Sequence, residues 1–133
     1  MKTHLLRISV LAAAAATGIY AQNSNAVTAN VPFDFMIGGR TVHAGQYVID
    51  QGQGLVAVKS ESGRVIAYAI GGALVSPLDV SQTKLVFHRY GDKYFLWQVW
   101  RDGAGREIPK TKRERELSAS RHDPETIFLL ASR

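Results

Sequence analysis

From Val31 onward the chain alternates. Val31, Phe33, Phe35 and Ile37 stand between Pro32, Asp34 and Met36, the two-residue period of a half-buried strand, and Gly38-Gly39 then turns the chain. Further strands are expected over residues 41–43, 46–51, 55–59, 64–70 and 73–75, because β-branched and aromatic residues there are divided by Gly- and Ser-rich punctuation. No stretch between them is long enough for a βαβ crossover helix. The pattern predicts a meandering antiparallel sheet.

The most informative segment runs from Thr83 to Arg101. Two apolar runs, residues 84–90 and 93–100, flank Gly91-Asp92, and glycine at the first central position suits a two-residue type II′ hairpin. Counting outward pairs Tyr90 with Lys93, Arg89 with Tyr94, His88 with Phe95, Phe87 with Leu96 and Val86 with Trp97. Both faces of such a hairpin are largely apolar, which places it in the middle of a packed sandwich or closed barrel.

Residues 109–118 are the one helix candidate, with Pro109 in the first turn and the pairs Lys110/Glu114 and Lys112/Glu116 at i,i+4. The cations come first in both pairs and oppose the helix dipole, so a short helix is expected. Residues 126–131 read as a closing apolar strand, set off by His122-Asp123-Pro124. The fold class is therefore all-β, mainly antiparallel: a small β-sandwich or partly closed barrel with one short C-terminal helix.

Ahead of this domain, residues 1–7 are basic and residues 8–16 are uncharged and mostly Ala, Val, Leu and Ile. That is the layout of a cleaved N-terminal signal peptide, expected over 1–21 with processing after Ala21. The apolar run falls short of the about 20 residues a membrane span needs. Residues 22–30 are Asn-, Ser-, Thr- and Ala-rich and predict a flexible leader, leaving 31–133 as a single β-rich domain. Export would place it in the periplasm or outside the cell.

Composition narrows the chemistry. The chain has no Cys, which excludes disulfides, thiolate nucleophiles, Cys-ligated metals and a lipoprotein anchor. Net charge is +5, but Lys2 and Arg7 would leave with the signal, so 14 basic and 11 acidic residues give +3. All of that excess lies between Arg106 and Arg121, where six basic residues stand among three acidic ones.

Residues 31–35 (Val-Pro-Phe-Asp-Phe) with Gly38, residues 44–49 (Ala-Gly-Gln-Tyr-Val-Ile), residues 87–96 (Phe-His-Arg-Tyr-Gly-Asp-Lys-Tyr-Phe-Leu) and residues 105–117 carry a likeness. Together they resemble a family of small secreted bacterial proteins that has no assigned function. The likeness spans nearly the whole mature chain and implies an exported β-domain without implying an activity. Residues 44–49 are also similar to the strand entry of transthyretin-like, carboxypeptidase-regulatory sandwiches, which implies a sandwich fold and nothing about function.

Catalytic signatures are sparse. Residues 52–57 match a loose G-x-G-x-x-A pattern, but a strand follows where a dinucleotide site needs a helix, so the match reads as a turn. His43, His88 and His122 lack metal-ligand spacing. A hydrolase reading would use His88 as general base with Asp34 or Asp50, yet no activated nucleophile stands near it, and a packing histidine is preferred. No cofactor or metal is expected.

Tyr90, Tyr94, Trp97, Trp100, Phe87 and Phe95 are read mainly as core, with Trp100 the exception available to a ligand. The candidate interaction surface is Trp100, Arg101, Arg106, Lys110, Lys112, Arg113 and Arg115, which suits an anionic envelope component or a protein partner. Nucleic acid is not expected, nor is a membrane span after cleavage. The leading expectation is a non-catalytic exported domain with a binding or structural role at the cell envelope. The alternative is a small lipocalin-like carrier of an apolar ligand.

Overall fold

The computed structural model describes residues 25–75, 82–120 and 123–133. The expected signal peptide and its cleavage point lie outside the described residues. In chain order the elements are β1 (Ala26–Val31), β2 (Phe35–Ile37), β3 (Arg40–Val42), β4 (Gly45–Asp50), β5 (Leu55–Lys59), β6 (Val65–Ile70), β7 (Gly72–Val75), β8 (Lys84–Tyr90), β9 (Lys93–Arg101), β10 (Ala104–Glu107), α1 (Lys112–Ser120) and β11 (Glu125–Leu130).

Two sheets result. The first has the order β1-β4-β5-β6, the second β11-β8-β9-β10-β7, with β2 beside the start of β9 and β3 beside β2. All pairings are antiparallel except the short β2–β9 contact. Both sheets turn one face inward, where Val27, Val31, Ile49, Val56 and Val58 of the first meet Leu85, Phe87, Leu96 and Val99 of the second, with Phe35 and Ile37 closing one end. Burying these side chains contributes about 1.5–3 kcal/mol each, the main source of stability for a chain without disulfides.

The sheets also meet at their corners and curl into a half-barrel. At one corner Thr28 and Ser132 exchange backbone hydrogen bonds, from Thr28 N to Ser132 O at 2.6 Å and back at 3.0 Å. At the other, Gly71 carries the chain from β6 into β7, its N–H on Gly54 O at 3.0 Å and its carbonyl held by Arg106 at 2.8 Å.

Several sequence expectations need correction. The second half of the expected leader is β1, paired along its length with β4, and Val27 and Ala29 are fully buried. Its small side chains fit between the sheets, and long-range packing supplies what periodicity does not signal. The expected strand over residues 31–37 breaks at residues 32–34, since Pro32 has no N–H for a ladder. The helix starts at Lys112 because Thr111 caps it: the Glu114 N–H donates to Thr111 Oγ1 at 3.2 Å and Arg115 N–H to Thr111 O at 2.9 Å. No helix among the described residues is long and apolar enough to cross a membrane.

Candidate functional site

The central hairpin has the expected turn, with Gly91 at φ +64° and Asp92 outside the positive-φ region, as type II′ geometry requires. Four pairs also follow the count, from Tyr90↔Lys93 to Phe87↔Leu96. The fifth does not. Val86 faces Gln98, because a β-bulge leaves Trp97 as an extra residue.

That one-residue shift decides which side chains meet solvent. Strict alternation would turn Gln98 and Trp100 toward the core and Val99 away from it; after the bulge Val99 is fully buried and the other two face outward. Trp97 lies on the same outer face, its ring stacked on His88 at 4.1 Å between centroids and 28°. The outer face of the second sheet thus carries Trp97, Gln98 and Trp100 side by side.

Register places Lys84 and Gly105 on either side of Trp100, and Val86 and Glu107 on either side of Gln98. Trp100 lies over Gly105, where an added Cβ would stand 2.9 Å from two indole carbons. Its N–H donates to Gln98 Oε1 at 2.8 Å, and Gln98 Nε2 donates to Glu107 Oε1 at 3.0 Å. The indole is half-buried and oriented before any ligand arrives. Beyond β8, on β11, Phe128 and Leu130 extend this face and are 63% and 51% exposed, with the Lys84 ammonium 5.2 Å from the Phe128 ring centre.

Beside this array, α1 is fastened to the sheet by a buried polar cluster. Thr111-x-x-Glu114 has the spacing of a capping box, but the Glu114 carboxylate turns toward the sheet. Its Oε2 lies 2.7 Å from His88 Nδ1 and accepts the Tyr90 hydroxyl at 2.9 Å. His88 and Glu114 are only 7% and 5% exposed. Burial, reinforced by the neighbouring Glu114 carboxylate, pushes the Tyr90 hydroxyl up to about 12.

The carboxylate partner of His88 is therefore Glu114, not Asp34 or Asp50. Asp50 is paired with Lys59 at 3.2 Å. Asp34 accepts the Ala44 N–H at 2.9 Å, and that bond, with His43 3.5 Å away, holds its carboxyl below the usual range. His122 lies outside the described residues.

The expected interaction surface is not one patch. Trp100 faces outward, while Arg101 and Arg106 alternate with it onto the opposite side of the sheet. Arg106 holds the Gly71 carbonyl, and Arg101 sits 3.9 Å from Asp102 with its Nε buried and unbonded. Lys110, Lys112, Arg113 and Arg115 lie on α1 and its lead-in, where Arg115 donates to Lys110 O at 2.8 Å. Arg113 also lines a cleft of about 570 Å³ together with Asp34, Thr41, Asp92, Lys93 and Tyr94. Gln98 and Glu107 join the site without having stood out in the sequence, because the bulge that aims Gln98 outward leaves no mark in the residue pattern.

No family model, no curated protein and no solved structure matches this chain.

Proposed function

We propose that the protein is an exported, non-catalytic binding domain that engages a component of the cell envelope through the outer face of its second sheet. The observation that carries this reading is the bulge at Trp97, which turns Trp100 outward and leaves it oriented by Gln98 over Gly105. Bulges commonly re-aim side chains at functional positions. A protein that needed only a core would gain more by burying this indole.

Two further features favour this reading over its alternatives. The His88–Glu114 pair lies beneath α1 and shares its carboxylate oxygen with Tyr90, so the imidazole acts as a fastener for the helix and has no approach for a substrate. The cleft near Arg113 is lined largely by charged and polar groups, Asp34, Thr41, Asp92, Lys93 and Arg113, which does not suit the apolar cargo of a lipocalin-like carrier.

The reading is tested by retention of the exported protein on the insoluble envelope fraction. Wild type should be retained, and Trp100→Ala, shown to be folded at the assay temperature by circular dichroism, should be released. Equal retention of both, or none of either, would overturn the proposal.

A further inference from the structure

We infer that the ligand of this face is a neutral saccharide, bound with one side of a sugar ring on the Trp100 indole. The inference rests on the binding-face reading above and adds the ligand's chemical class. The Trp100 indole packs over Gly105 and is part-exposed, and the axial C–H groups of a pyranose are the complementary surface for the aromatic area it leaves to solvent. The hydroxyls around such a ring need donors and acceptors at its edge. The Gln98–Glu107 pair supplies them beside Trp100 on β9 and β10, and Lys84, paired with Trp100 on β8, carries its ammonium over Phe128 farther along the same face.

Charge selects among saccharides. The face sets one ammonium, Lys84, against one carboxylate, Glu107, on opposite flanks of the Trp100–Gln98 unit. An anionic glycan would meet Glu107, and a cationic one Lys84, whereas an uncharged polyol donates to the carboxylate and accepts from the ammonium. Only Oε1 of Glu107 is taken by Gln98, which leaves Oε2 as an acceptor among the described residues. The exposed rings and chains of Phe128 and Leu130 continue the face across β11, which fits several linked sugar units better than a monosaccharide.

The test uses defined probes: neutral cello-, xylo-, chito- and malto-hexasaccharides, with polygalacturonate as the acidic comparison, titrated by calorimetry and by Trp fluorescence. At least one neutral hexasaccharide should bind saturably and displace the protein from the envelope fraction. Trp100→Phe, which keeps a ring over Gly105, should weaken binding by about tenfold or more, and Glu107→Gln should weaken it with the thermal midpoint preserved. If envelope retention depends on Trp100 but no neutral saccharide binds or competes, the binding face stands and the saccharide inference fails. Preferential competition by polygalacturonate would likewise overturn it in favour of an anionic glycan. Hexasaccharide binding that is indifferent to Trp100 would overturn both readings.

Discussion

Glu114 Oε2 stands 2.7 Å from His88 Nδ1 across 26 residues of sequence, and through this contact a helix made almost entirely of polar residues is held on a sheet. Without it, Leu117 is the one large apolar side chain α1 has to offer. Removing one member of a buried hydrogen-bonded pair strands the other. Glu114→Ala is expected to lower unfolding free energy by about 3–5 kcal/mol in urea titrations. The neighbouring exposed Lys112→Ala should change it by no more than about 0.5 kcal/mol. Similar effects for the two would show that α1 is not anchored through Glu114.

Alkaline pH probes the same cluster through Tyr90, whose hydroxyl is raised from 10 to about 12. Below pH 10 both folded and unfolded chains keep the proton and its contribution is intact. Between pH 10 and 12 the unfolded chain ionises first, and stability should fall by roughly 2–3 kcal/mol in total. Other groups titrate in this range too, so the measurement is the difference between wild type and Tyr90→Phe. That difference should move by this amount in favour of the variant from pH 9 to 12. A constant difference would contradict the assigned environment.

Gly105 lies beneath Trp100, and an added methyl would come within 2.6 Å of Val99 O and 2.9 Å of the indole. Gly105→Ala should cost about 1–3 kcal/mol and shift Trp emission as the ring is displaced. Gly91→Val should cost a similar amount through its positive φ, with Trp100 left in place. Loss of envelope retention in Gly105→Ala but not in Gly91→Val is the expected contrast.

Replacing Lys110, Lys112, Arg113 and Arg115 together by Gln should leave the thermal midpoint nearly unchanged, because exposed charges contribute little to stability. Envelope retention should also persist and vary little with salt. A steep salt dependence abolished by the fourfold change would move the ligand surface onto the helix.

Much of this architecture is legible in the residue pattern. Glycine and serine punctuation marks the strands, and Gly91 fixes the turn and the first four pairs of the central hairpin. The bulge is hidden, since nothing in Val86, Phe87, Leu96 or Trp97 signals an extra residue; it is imposed by the need to bury Val99 against the first sheet. β1 escapes the pattern because Ala26, Thr28 and Ala29 bury little apolar surface individually and are held by pairing to β4 and Ser132. Glu114 reads as one charge in a solvated helix, although the Thr111-x-x-Glu114 spacing marks the helix start. Its partners His88 and Tyr90 come together with it only through the fold.

Ligand bound on the outer face of the second sheet at Trp100 would be seen in the amide and indole chemical shifts of isotope-labelled protein as soluble envelope fragments are added. The Trp100 indole N–H and the amides of Gln98, Gly105 and Glu107 are expected to move first and saturate together. Shifts confined to Asp34, Asp92, Lys93 and Arg113, with the Trp100 indole unmoved, would contradict it and place the ligand in the charged cleft.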